Sequence, residues 1–392
     1  MNRSHVLPKI ALLSVVILVH QAGADPIPFH EPFANNSIVL ARVGGFGVGA
    51  NISTSASPVF LDEYRITSGA GASAVVTYAQ TLNIPSTGAQ RVTNQGSGIA
   101  ELRLNRTSAG GNNYLFFAGY DAPPGATGFT SAAPTTVPRV VTRVDQTGVI
   151  NSTTRLTTSF SAPPTAAVSV DGTNIVVGAD FNAGGVRQTT LGSNTSTSVA
   201  PLNNIQGLAP RGADLFATGG ISDNAVYSIS GGVATQLFTS TSGRLFDLFF
   251  AGSDTLYVAD DGGNDPNMVG GLLRYDYNGT SWQYKYRIEI PLGTITGLKQ
   301  GLRDLSGIYD PDTGRVDIYG TTAENRNGRL IGITDDLDNT LASQAAVSEL
   351  LADNPFSVTG STAMWRGVEI IPEPTSLALL GLAMVAGLVR RR

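Results

Sequence analysis

The sequence predicts an all-β fold, a β-propeller, and three observations carry that reading. Five segments repeat one strand–turn–strand design. The two ends of the body look like complementary pieces of one more unit. The composition, with 46 Gly and 14% charged residues in 392, is that of a turn-rich β protein without helical periodicity of useful length. One short helix is expected around Leu341 to Leu351.

Taken in chain order, the first element is a processing segment. Arg3 and Lys9 form a positive start, Ile10 to Val19 an apolar run, and Ala22-Gly23-Ala24 a small-x-small cleavage site. That pattern is a secretory signal over residues 1–24, with the mature chain starting near Asp25. Next come Ser37 to Gly44, Val59 to Ile66 and Val75 to Ile84. They read like later strands of a unit that lacks its first strand.

The repeated design follows: an apolar strand, a turn rich in Gly, Asp or Asn, and a second apolar strand ending in small residues. It occurs at Ile99 to Tyr120, Ala166 to Ala179, Ile205 to Gly219, Leu245 to Ala259 and Leu302 to Gly320. The turn residues supply the positive φ that tight hairpins need. Gly119 to Pro138 reads as a long loop within the first module. Further strands follow the modules at Ala225 to Ser230, Ala234 to Thr239, Gly271 to Tyr277 and Trp282 to Ile290, the last two joined by an Asn278-Gly279 turn. Four antiparallel strands per module, at starts roughly 40 to 60 residues apart, match the spacing of propeller blades. Trp365 to Ile371 then reads as a first strand with nothing after it. Joined to the orphan strands near the N-terminus it makes a composite blade, for six in all, with seven as the alternative count. Closure removes the sheet edges that invite aggregation. A pair of β-sandwiches or a β-solenoid would share the strand spacing.

The last segment is Pro372-Glu373-Pro374, an apolar run from Leu377 to Val389, and Arg390-Arg391-Arg392. The run is thirteen residues, or about 20 Å of helix, short for a single membrane helix unless the arginines reach to the interface. The charge places the arginines on the cytoplasmic side and the body outside. This tail resembles the PEP-CTERM protein-sorting domain of Gram-negative bacteria. The resemblance implies an exosortase, a membrane-embedded transpeptidase-like enzyme, as partner alongside the export machinery. It implies Pro372, Glu373 and Pro374 as recognition residues and Arg390, Arg391 and Arg392 as the basic stop. It further implies transient anchoring in the inner membrane, cleavage near the tripeptide, delivery to the cell surface or matrix, and a link to exopolysaccharide or biofilm. The expected domains are 1–24, 25–371 and 372–392.

Composition narrows the chemistry of the body. There is no Cys, so an exported fold must hold without disulfides. Of three His, His5 and His20 fall in the signal and only His30 remains. A Ser-His-Asp triad and a zinc site therefore lack their usual parts. Without the signal and tail the chain carries 20 basic and 29 acidic residues, a net charge near −9, which argues against nucleic acid as partner.

Three groups of residues stand out. Aligning the units puts Glu101, Asp247 and Asp304 near the start of first strands, where blades line a channel; Gly207 and Gly367 take the matching places elsewhere. Converging carboxylates would suit calcium, the one cofactor the residues suggest. The plainer reading is that each accepts backbone N–H groups from its neighbouring blade. Asp260, Asp261, Asn264 and Asp265 crowd one loop whose spacing does not match an EF-hand, so a solvated loop is expected. Tyr275, Tyr277, Trp282, Tyr284 and Tyr286 share one hairpin. They would stack on sugar rings if exposed, or pack between strands if not. The glycines from Gly44 to Gly49 precede no helix and do not make a phosphate loop. Asp310, Asp312 and Gly314 read as a hairpin turn.

No catalytic set emerges. The function expected is a non-enzymatic surface or matrix protein that binds a glycan or a matrix protein, or serves structurally. The alternative is a calcium-dependent hydrolase resembling the lactonase-type propellers, with Glu101, Asp247 and Asp304 as ligands.

Overall fold

Strands that are apolar on both faces must be covered on both faces, and the fold answers by stacking sheet against sheet. The structure, a computed structural model, describes residues 31–44, 52–158, 160–180, 184–212, 214–220, 223–240, 243–263, 269–291, 301–324, 328–352 and 363–372. The signal segment, His30, the glycines from Gly45 to Gly49, Asn264, Asp265 and the tail from Glu373 onward, with its expected helix, lie outside them.

The chain opens with β1 (Ser37–Gly44), β2 (Ala56–Ser68), β3 (Val75–Asn83) and the short β4 (Thr93–Gln95). It continues with β5 (Asn105–Ala109), β6 (Asn112–Tyr120), β7 (Arg139–Asp145) and β8 (Ile150–Leu156). Then come β9 (Pro164–Ser169), β10 (Asn174–Ala179), β11 (Val186–Thr190) and β12 (Thr197–Ala200). After these come β13 (Ile205–Arg211), β14 (Asp214–Gly219), β15 (Ala225–Ser230) and β16 (Val233–Thr239), then β17 (Leu245–Ala251), β18 (Thr255–Asp260), β19 (Gly271–Tyr277) and β20 (Trp282–Ile288). The last are β21 (Leu302–Tyr309), β22 (Arg315–Thr322), β23 (Leu330–Asp336), β24 (Ala346–Leu351) and β25 (Ala363–Ile371).

The runs β9–β12, β13–β16, β17–β20 and β21–β24 are each a four-stranded antiparallel sheet. A nine-stranded sheet holds two more such runs, β25-β1-β2-β3 and β5-β6-β7-β8, joined through β4. The first of these is the composite closure: β25 pairs antiparallel with β1 from Ser37↔Ile371 to Gly44↔Ala363. It is pinned from within, because Arg42 holds Asp62 through two bonds of 2.6 and 3.0 Å and Trp365 Nε1 donates to the same carboxylate at 3.1 Å.

The packing follows a circuit. The innermost strands β5, β9, β13, β17, β21 and β25 neighbour one another in that order, and β25 returns to β5. Between each consecutive pair of runs lies one apolar cluster. Phe116, Ile175 and Val177 meet between the second and third runs, Ala166 and Ile205 between the next two, and Phe216 and Leu256 beyond those. Tyr257 and Ile318 follow, then Tyr319 with Trp365, and finally Val39 with Phe117. This all-β arrangement of four-stranded sheets is consistent with a propeller.

Two expectations need correction. Leu341 to Leu351 is not helical. Ala342–Gln344 makes one 3-10 turn and Ala346–Leu351 is strand β24, the outer partner of β23. An isolated helical preference yields to the exposed edge of β23, whose backbone groups need partners. Secondly, the first module begins late. Residues 99–104 lie outside the ladder, with Leu102 left-handed at φ 69°, and the innermost strand starts only at Asn105.

Candidate functional site: the axial channel

The innermost strands surround a channel, and their sequence decides what fills each end. At the end where these strands begin, long cationic side chains point inward. Arg103, Arg303 and Arg244 lie over the ring of Phe246 at 4.9, 5.6 and 5.8 Å from its centroid. Asp261 takes Arg244 at 2.8 Å and Arg303 at 3.4 Å. Arg366 donates to the carbonyls of Gln95 and Gly96 at 2.6 and 2.7 Å and faces Glu101 at 3.8 Å. All of these side chains are buried. Burial pulls the Arg303 and Arg366 guanidinium groups down to about 10 and pushes the Glu101 carboxyl up, the last opposed by Arg366. Asp260 and Asp261, expected in a solvated loop, are instead fully buried here. Asp260 accepts the Arg244 and Gly262 N–H groups at 3.2 and 2.9 Å.

Midway along the channel the sheets are stitched together by side chains. Asp247 accepts the Leu305 N–H at 3.0 Å, and Asp304 accepts those of Val368 and Leu104 at 2.9 and 3.1 Å. Hydroxyls bind the carbonyls of the next innermost strand: Thr165 reaches Ile205 at 2.7 Å and Thr321 reaches Arg366 at 2.6 Å, while Thr218 does the same to Phe246. Asp247 and Asp304 lie beside each other. Burial raises both carboxyls, and the Asp247 charge raises Asp304 further. Of the three carboxylates picked out by sequence, Asp247 and Asp304 adjoin, while Glu101 sits on the residues before β5, facing Arg366. No group of three or more His, Cys, Asp or Glu that could hold a metal occurs among the described residues.

At the opposite end the channel widens into a cup of about 400 Å³. Small residues make the room: Ala209, Pro210, Ser306 and Gly307 all line it. Gly307 is required there, because a Cβ would sit 2.8 Å from the Phe249 ring, which rests flat on that backbone. Glu369 of β25 forms one wall. Its Oε1 accepts from Ser306 Oγ at 2.6 Å and lies 3.6 Å from Arg106 Nε. Burial lifts this carboxyl to about 7 against the pull of Arg106. Asn105 Nδ2 and Arg106 Nε are shielded from solvent and donate to no protein group. Asp247 and Arg211 line the cup as well, so it carries charge of both signs beside the partly buried Phe249 ring.

The tyrosine-rich hairpin is divided. Tyr275 is buried, stacked on Phe238 at 4.0 Å, and Tyr286 is buried with its hydroxyl donating to Asp335 at 2.8 Å. Trp282 packs against Tyr277 at 5.4 Å and Phe250 at 5.9 Å. Tyr284 and Tyr277 alone are exposed, at 57% and 38%. Sequence reasoning missed Arg106, Phe249, Ser306 and Glu369. The one available signal was a Glu in Trp365 to Ile371, a strand that must be buried on both sides.

Residues 371–392 match the PEP-CTERM protein-sorting motif. The sequence matches no curated protein. Among solved structures, the GH74 enzyme of Niastella koreensis aligns with 14% identity over 79% of this chain and 47% of its own, with a TM-score of 0.41. This chain therefore spans less than half of that enzyme. An oligogalacturonate lyase from Vibrio parahaemolyticus aligns with 10% identity over 77% and 92% of the two chains, TM-score 0.41. YCF48 bound to a D1 peptide aligns with 12% identity over 83% and 88%, TM-score 0.38. These neighbours are β-propeller-like proteins.

Proposed function

We infer that this chain is an exosortase substrate whose body, residues 25–371, is a six-bladed β-propeller with a non-enzymatic binding or structural role at the cell surface or in the matrix. The observation that carries the reading is the sorting motif at residues 371–392, which implies export and membrane-anchored transit. Residues 1–24 serve as the signal peptide. Residues 372–392 serve as the tripeptide, membrane segment and basic stop.

The closed circuit of innermost strands supports six blades, with β25-β1-β2-β3 as the composite one. The shape of the middle of the channel favours a scaffold over a calcium-dependent hydrolase. Asp247 and Asp304 spend their oxygens on backbone N–H groups, and a carboxylate so engaged has little left for a hard cation. The test is cellular. In the source bacterium the chain carrying an internal epitope tag should be shortened at its C-terminus and recovered outside the inner membrane. Deleting the exosortase, or changing Glu373→Ala, should leave it full-length in the membrane fraction. Correct delivery of the Glu373→Ala chain would remove the sorting reading.

A further inference from the structure

We propose that, while its tail is still attached, this protein stands with the cup face of its body against the membrane, and that a zwitterionic phospholipid surface is the partner of that face. The proposal rests on the reading of residues 372–392 as a sorting tail with a membrane segment, and it names what the exported body touches before the tail is cut.

Three observations carry it. The first is where the chain leaves the ring. β25 is an innermost strand and runs toward the cup: Glu369 forms the cup wall, and the strand ends two residues later at Ile371. The tail therefore starts beside the channel axis and not at the rim. The second is the length of the tether. Only Pro372 to Ser376 separate Ile371 from the apolar run that begins at Leu377. Those six steps, at about 3.6 Å each, reach roughly 20 Å, and the headgroup layer takes about 5–7 Å of that. A folded body of this size has a radius of gyration of about 20 Å. Held near the middle of one face by a cord shorter than its own radius, it cannot turn that face away.

The third is what the face presents. The runs are antiparallel, so the turns between first and second strands, and between third and fourth, all open on the cup face. Every run places an exposed apolar side chain at those turns: Val75, Val149, Val170, Val233, Tyr277 and Leu341. Ile308 lies near the same face, and Tyr78 and Tyr284 lie mid-strand, so among the described residues the opposite face shows no exposed large apolar group. One such residue is ordinary. A ring of them around the exit of the tail is what contact with a membrane interface needs. Charge selects the kind of surface. Asp171, Asp254, Asp310, Asp312 and Asp338 are exposed on these same turns, while Arg315 beside them is paired with Asp317 at 2.9 Å. An acidic face is repelled by anionic headgroups, so the lipid it meets carries no net charge. Seated this way the membrane closes the mouth of the cup, and cutting the tail opens it.

The experiment uses the full chain, which has no cysteine of its own, reconstituted into phosphatidylcholine vesicles that carry a quencher on the headgroup. Single cysteines at exposed positions take a fluorophore: Ser253→Cys on a cup-face turn, and Asn203→Cys on the opposite face. Flotation with the vesicles reports the membrane segment by itself. The label at Ser253 is expected to be quenched about threefold more than the label at Asn203. Inserting roughly twenty Gly and Ser residues between Ile371 and Pro372 adds about 25 Å of reach and frees the body to turn. The difference should persist in that lengthened chain, held by the apolar ring. It should vanish when Val149, Val170 and Val233 are all changed to Ser, and shrink when phosphatidylglycerol replaces much of the lipid. Equal quenching of the two labels in the unaltered chain, or more at Asn203, would overturn the orientation. Loss of the difference in the lengthened chain with its valines intact would overturn the lipid contact, and indifference to phosphatidylglycerol would overturn the zwitterionic assignment. A chain that does not float removes the membrane segment and the proposal with it, whereas one that floats with both labels alike removes the proposal alone.

Discussion

The two ends of the channel are built from the same innermost strands and come out opposite in character. At the end where the strands begin, arginines and acids interlock over Phe246, although Arg103 Nε and Arg366 Nη1 among them make no hydrogen bond. At the far end, small residues hold the strands' side chains apart and leave a cup of about 400 Å³. The difference teaches that burial of charge is not itself a sign of function. Arg303 and Asp261 are both almost fully buried, yet they close on each other. The informative sign is room beside polar groups, as in the cup lined by Glu369 and Ser306.

Four changes would break or sharpen that contrast. Asp261→Ala removes a carboxylate shared by two buried guanidinium groups, and should cost about 3–5 kcal/mol of stability, read by chemical denaturation. If stability were unchanged, the interlocked end would not be a structural plug. Glu369 should make the protein lose stability as pH rises from about 4.5 to neutrality. Its folded value of about 7 lies above the unfolded 4.5, so its stabilising contribution is complete below 4.5 and fades as pH rises through 7. The effect is about 3 kcal/mol at most, and Glu369→Gln should flatten the melting temperature between pH 5 and 8.

Asp304→Ala strands the Leu104 and Val368 N–H groups and should cost about 1–3 kcal/mol. Asp304→Asn keeps an acceptor and brings a donor for the adjoining Asp247, so it should cost less than about 1 kcal/mol. A chelator should then leave the melting temperature of the unaltered protein where it was. A large drop, abolished by Asp304→Asn, would restore the calcium reading. The smallest effect is expected at Tyr284→Ala, within about 0.5 kcal/mol.

Much of the ring was legible in the sequence because inner strands are written in apolar residues. Ser37 to Gly44, Trp365 to Ile371 and Leu245 to Ala259 appear where they were expected. The outer strands are written in a different alphabet. Ile150–Leu156 and Thr197–Ala200 are largely polar, since they pair on one edge and meet solvent on the other, and pattern alone does not mark them. Glu101 was aligned with Asp247 and Asp304 because spacing cannot see that Leu102 turns left-handed, which shifts the start of β5. The cup was illegible for a topological reason. Arg106, Phe249, Ser306 and Glu369 come from four strands that meet only when the circuit closes.

The strand that closes the circuit ends at Ile371, and the sorting tripeptide begins at the next residue. Fastener and mooring line are thus one piece of chain. A pull on the tail directed along β25 meets hydrogen bonds set across the direction of force. The eight residue pairs joining β25 to β1 must then give way together rather than peel in sequence. While the tail holds the body to a membrane, drag from outside the cell loads the ring in shear at its most fully buried seam.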